Sequence, residues 1–132
     1  MISDSGIDLG EMLHRSIKPD AGAVVAFVGV VRADPGVRAM EVEVYDEAAV
    51  EELRRIKDEA IARFGVSSVD VVHRKGRLSP GEVIVLVVCA SAHRKEAFRA
   101  CEYVIDELKR RVPIWKKELT EEGGRWVKGD AF

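Results

Sequence analysis

Two cysteines are all the thiol this 132-residue chain carries, and Cys89 and Cys101, far apart with no CxxC pair, make neither a disulfide framework nor a zinc site. Both stand among apolar neighbours and read as small core residues. Histidine is as scarce: His14, His73 and His93 are scattered, with no HxxxH pair, and the sequence calls for no metal and no cofactor. The longest apolar runs, near 23–31 and 83–90, fall far short of the roughly 20 residues a membrane span needs. The N-terminus has no basic segment leading into an apolar stretch, so no signal peptide is visible and the protein reads as cytoplasmic. Aromatics are few and not interleaved with cations, and 21 basic against 23 acidic residues leave a net charge of −2. That balance argues against nucleic-acid binding.

What is present is enough for one core. A chain of this length buries about two-thirds of the surface its unfolded form exposes, and residues 1–132 read as one domain. Asp8-Leu9-Gly10-Glu11 has the spacing of a capping box and opens a short helix that Pro19 stops. Residues 22–32 read as a buried strand, 40–45 alternate as a half-buried one, and Asp34-Pro35-Gly36 turns between them. Asp46 is placed to cap a long helix whose apolar stripe is Ala49, Leu53, Ile56, Ala60 and Phe64, ending at Gly65. Strands at 69–73 and 82–91 flank a turn at Ser79-Pro80-Gly81. A second long helix spans 93–111, with Ala97, Cys101, Val104 and Leu108 on one face and Pro113 beyond its end. Residues 114–119 and 125–127 look extended, with a turn at Glu122-Gly123-Gly124. The order ββαββαββ after an initial helix describes an α+β sandwich.

The near-neutral total hides an asymmetry. Residues 109–128 hold seven cations (Lys109, Arg110, Arg111, Lys116, Lys117, Arg125, Lys128) and three carboxylates, a local charge of +4 against −6 for the rest. That imbalance points to a local anion site. Ser91-Ala92-His93-Arg94-Lys95 puts a histidine and two cations in the first turn of a helix, against the dipole. The arrangement suits a bound phosphate or carboxylate, and equally suits cations turned to solvent with Glu96 offsetting them. Lys109-Arg110-Arg111 complements the dipole at the other end of the same helix. Lys116-Lys117 has no dipole to complement, and either guards a strand edge or belongs to a pocket of crowded cations. Arg32 and His73-Arg74 end strands, where a charge usually marks the chain leaving the core.

Several segments together resemble a known family. Gly22-Ala23-Val24-Val25, Phe27-Val28-Gly29-Val30-Val31-Arg32, His73-Arg74 with Gly76, Ser91-Ala92-His93-Arg94 with Ala97-Phe98, Pro113-Ile114-Trp115-Lys116-Lys117-Glu118 and Arg125-Trp126-Val127 look like the large, catalytic subunit of molybdopterin synthase. The matches keep order and spacing over residues 22–128. The resemblance implies a hammerhead-like α+β fold and a sulfurtransferase of molybdenum-cofactor biosynthesis. A homodimer would bind two small ubiquitin-like subunits, as a heterotetramer, each with a thiocarboxylate on a C-terminal Gly-Gly tail. Two sulfurs would pass to cyclic pyranopterin monophosphate. It implies Lys109 and Lys116 at the sulfur-transfer centre, Arg32, His93 and Arg94 as substrate or anion contacts, and Val30, Val31, Lys117 and Glu118 beside them, in a pocket drawn from both protomers. Where the family often has Asn-His after the arginine matching Arg32, this chain has Ala33-Asp34-Pro35-Gly36. The competing expectation is a non-catalytic homodimer that binds a phosphorylated small molecule as a regulator.

Overall fold

The computed structural model describes residues 1–127, so Lys128 of the basic segment lies outside the described residues. Eleven elements follow in order: β1 (Ile2–Ser3), α1 (Leu9–Ser16), β2 (Ala23–Val30), β3 (Val37–Val44), α2 (Asp46–Phe64), β4 (Ser68–Arg74), β5 (Gly76–Leu78), β6 (Val83–Ser91), α3 (Arg94–Arg111), β7 (Ile114–Thr120) and β8 (Gly123–Trp126). The expected order holds, with two short strands, β1 and β5, added to it. The strands form two four-stranded sheets, β1-β4-β6-β2 and β5-β3-β7-β8. The chain crosses from the first sheet to the second between β4 and β5, where Gly76 takes φ +94, a bend that side chains resist.

β6 is the spine of the first sheet. It pairs antiparallel with β2 on one side and β4 on the other, and its residues from Ile84 to Ser91 are all buried. An unbroken apolar run suits a strand covered on both faces. Alternation sorts the two coverings. Val69, Val71, Val85, Val87 and Cys89 pack under α2 and α3, whereas Val72, Leu86 and Val88 face Met12 of α1. The second sheet enters the same larger core through Met40, Val42 and Leu78. Leu53 and Ile56 of α2 are at most 2% exposed there, and truncating either to alanine would cost about 2–5 kcal/mol. Among the described residues no helix is long and apolar enough to cross a membrane.

The helix ends follow the sequence with one correction. Asp8 caps α1 by accepting from the Glu11 amide at 3.0 Å, and α2 closes on Gly65. Asp46, expected to cap α2, is instead its first helical residue, and Tyr45 stands at the cap with no side-chain bond. The Asp46 carboxylate complements the dipole from inside the first turn and accepts from Lys75 Nζ at 2.6 Å. The turn between β7 and β8 falls at Glu121-Glu122, one residue earlier than expected, with Thr120 paired to Gly123.

α2 and α3 are joined at their exposed seam by charge. Arg111 binds Glu59 (2.6 and 2.8 Å), Glu52 (3.1 Å) and Glu107 (3.3 Å), while Tyr103 donates to Glu59 at 2.6 Å. The Arg111 and Tyr103 hydrogen bonds hold the Glu59 carboxyl down at about 2.

Candidate active site

Lys109 lies in the last turn of α3 and Lys116 near the start of β7, and Pro113 between them ends the helix and reverses the chain. The two lysines line one small cavity of about 80 Å3 with His73, Leu108, Val112 and Ile114. β3 sets the register: Lys116 pairs with Val42, whose side chain is in the core, so Lys116 points inward, toward the end of α3. Leu108, Val112 and Ile114 supply the apolar part of a lining to which His73 and the two lysines bring polar groups.

His73 is the residue that sequence reasoning passed over. It looked like a strand leaving the core, yet it is wholly buried. β1 runs parallel beside β4, with Ile2 opposite His73 and Ser3 opposite Arg74, and covers the strand end. The signal that could have found it is the alternation Val69, Val71, His73, which puts all three on one face. Its Nδ1 lies 2.8 Å from the Arg74 carbonyl oxygen. Burial first, then the positive charge of Lys116, push its pKa down to about 4, so the ring is neutral at pH 7.

A second cavity, about 440 Å3 and more open, lies at the other end of α3, lined by Gly22, Ala23, His93, Arg94, Lys95 and Glu96. His93 is the N-cap and makes no side-chain cap bond. His93, Arg94 and Lys95 are exposed around the positive end of the helix. Gly22 lets β2 approach this turn closely: a Cβ there would sit 2.4 Å from the Ala92 carbonyl oxygen. Gly22→Ala should therefore push the β2 start off the Ala92-His93 backbone, costing about 1–3 kcal/mol. Thermal unfolding, with the His93 ring resonances followed by NMR, checks this. An unchanged melting point and unshifted His93 signals would refute it.

One chain does not bring the two groups of expected site residues together. Lys109 lies fifteen positions along α3 from Arg94, about 22 Å at the helical rise. Arg32 lines neither cavity. It follows the register shift between Gly29 and Val30, is exposed, and has Asp34 at 3.5 Å. Val31 beside it is buried and held by backbone bonds to Gly81 and Glu82, while Val30 faces outward. Lys117 points to the opposite face of β7 from Lys116, its ammonium 5.4 Å from the Trp126 ring centroid. Glu118 shares the Lys116 face and accepts from Arg125 at 2.9 Å. Much of the +4 segment is thus neutralised locally, since Arg110 pairs with Glu107 and Arg111 with three carboxylates.

Neither thiol is placed to carry a group. Cys89 is 0% and Cys101 5% exposed, between β6 and α3. Contact with Cys101 and burial push the Cys89 thiol up, away from the reactive thiolate.

Comparison with known proteins agrees along nearly the whole chain. The family described as MoaE protein matches residues 2–111. The molybdopterin synthase catalytic subunit of Pseudomonas aeruginosa is 51% identical over 129 residues, 96% of this chain and 85% of that protein. That of Pyrococcus abyssi is 46% identical over 112 residues, covering 83% and 76%. Molybdopterin synthase from Staphylococcus aureus superposes with a TM-score of 0.91 at 36% identity, covering 97% of this chain and 96% of that one. Family model, sequence identity and fold agree, and the chain belongs to the MoaE protein family.

Proposed function

We propose that this chain is the catalytic subunit of a molybdopterin synthase, acting in the cytoplasm on cyclic pyranopterin monophosphate. Its sulfur donor is the C-terminal thiocarboxylate of a small ubiquitin-like subunit ending in Gly-Gly. Two sulfurs pass to the pterin and form the dithiolene. The observation that carries this reading is the convergence of Lys109 and Lys116 on one small cavity. Sulfur attack on the pterin and loss of the acyl group both build negative charge on oxygen, and fixed ammonium groups at one recess stabilise that charge. With both cysteines buried, the sulfur comes from the donor tail rather than through a persulfide on this chain.

The phosphate end of the substrate is assigned to His93 and Arg94, joined by Arg32, through charge-assisted hydrogen bonds. Because the lysines lie about 22 Å away along the same helix, a complete site takes its phosphate contacts from one protomer and its lysines from another. A homodimer satisfies this by two-fold symmetry. β2 supports the same arrangement. It is an edge strand with Ala26, Val28 and Val30 exposed, and Phe98 is exposed on the helix packed against it. An open apolar edge invites pairing with a second copy. Val30, Val31, Lys117 and Glu118 are assigned to the rim of the shared site.

The test is subunit mixing. Homodimers of Lys109→Ala and of the double variant His93→Ala/Arg94→Ala should each be inactive with thiocarboxylated partner and substrate. Refolded together, half the dimers regain one complete site, and activity should return to about one quarter of wild type. No recovery on mixing would reject the shared site. A wild-type protein that binds the phosphorylated pterin, ignores the Gly-Gly tail and makes no dithiolene would instead be the regulator.

A further inference from the structure

Among the described residues, Arg74 at the end of β4 is the one Arg, Lys, Asp or Glu that the fold buries, at 8% exposed. Taking a guanidinium out of water is costly unless a carboxylate meets it. Glu82 does so, its Oε1 3.6 Å from Arg74 Nη1. The other oxygen of that carboxylate accepts from the Ser79 amide at 2.6 Å, and the Glu82 amide donates to the Ser79 carbonyl at 3.1 Å. The turn at 79–82 is thus closed from within and tied to β4 by charge. The same turn holds the end of β2. Val31 donates to the Glu82 carbonyl at 3.0 Å, and Gly81 donates to the Val31 carbonyl at 2.8 Å. Arg32 is the next residue, and its side chain is exposed. The ladder between β2 and β6 shifts register between Gly29 and Val30, so this clasp on Val31 fixes the strand end from which Arg32 leaves.

We infer that Arg74 is a positioning residue for substrate binding: through Glu82 it fixes the turn at 79–82, and through that turn it aims Arg32 at the phosphate. The inference rests on the phosphate contact proposed for Arg32 and deepens it. A guanidinium binds a phosphate best through two parallel N–H bonds, so the direction in which Arg32 leaves the sheet matters as much as its charge. A surface turn held by backbone bonds alone shifts easily. β4 lies between β1 and β6, so a side chain buried at its end gives the turn a fixed point.

A double-mutant cycle tests it, in single-turnover assays with thiocarboxylated partner and cyclic pyranopterin monophosphate. Arg32→Ala should raise the half-saturating substrate concentration about ten-fold or more, the loss of one charge-assisted contact. Arg74→Met, which fills the site and removes the charge, should raise it about five-fold or more. Both should leave the saturated rate near wild type. The double variant should bind no worse than Arg32→Ala, since an arginine that is gone cannot be misaimed. Factors that multiply in the double variant, or wild-type half-saturation in Arg74→Met, overturn the inference. Should Arg74→Met not fold, Glu82→Gln takes its place in the cycle, because that side chain is 44% exposed and its amide oxygen still accepts from Ser79. Arg32→Ala with wild-type half-saturation rejects the phosphate contact on which the inference rests. Whether Arg74 holds Val31 is read separately, without substrate, by hydrogen exchange. The Val31 amide should exchange faster in Arg74→Met or Glu82→Gln while Val87 in the middle of β6 stays protected. An unchanged Val31 rate overturns the inference even where Arg32 binds the phosphate.

Discussion

Alanine at Lys109 or Lys116 is expected to lower dithiolene formation about a hundred- to a thousand-fold, the usual effect of removing one fixed donor to a developing oxyanion. The fold should survive both changes. Lys109 lies in the last turn of α3, where losing a cation from the dipole costs about 0.3–1 kcal/mol. Lys116 sits on β7 between β3 and β8, whose backbone pairing does not depend on its side chain. Single-turnover conversion of cyclic pyranopterin monophosphate, followed by chromatography of the pterin product, measures the loss, and circular dichroism checks the fold. Arginine at either position keeps the charge but spreads it over a planar fork in place of a compact ammonium, so it should not rescue. Turnover near wild type in both alanine variants would remove the lysines from the reaction.

The second large effect is on stability in mild acid. In the folded protein His73 titrates at about 4, against 6.5 for the ordinary side chain, because burial and the charge of Lys116 disfavour the imidazolium. Between those values the unfolded chain binds a proton that the folded chain refuses, so stability rises with pH across the window and is lost as pH falls below 6.5. The full loss by pH 4 is about 3 kcal/mol, since each tenfold difference in proton affinity between the two states is worth roughly 1.4 kcal/mol. Urea midpoints at pH 7 and pH 4.5 measure it, and His73→Phe should flatten the difference. Equal losses in wild type and variant would mean that the ring is not held neutral in the core. Glu59 acts in a lower window. Its folded pKa of about 2 contributes stability present above the ordinary carboxylate range and lost as pH falls from 4.5 toward 2.

Long periodic segments were legible from sequence because burial writes itself into them. The run at 83–90 became the central strand β6, and the stripe Ala97, Cys101, Val104, Leu108 became the buried face of α3. β1 and β5 were not legible, since two or three residues show no period. With β1 missing, His73 was read as a strand end reaching solvent, against the alternation Val69, Val71, His73 that puts it on the buried face. The meeting of Lys109 and Lys116 follows from a proline that stops a helix and sends the next strand back, which the sequence displays. The distance of Lys109 from His93 and Arg94 was legible as well, since one helix carries them at opposite ends, whereas summed charge treats +4 over twenty positions as one object. Ion pairs to Glu52, Glu59, Glu107 and Glu118 consume much of that charge, and those carboxylates come from three different elements.

α3 presents His93 and Arg94 at one end and Lys109 at the other, and buries Ala97, Ala100, Cys101, Val104, Ile105 and Leu108 between them. Each added residue in an α-helix advances the chain about 1.5 Å and turns it about 100°. One insertion in this stretch would swing the lysine away from β7 and rotate the buried stripe toward solvent. Its length is not free to drift: it is a spacer of fixed residue count, and changes in chain length must fall in the turns outside it.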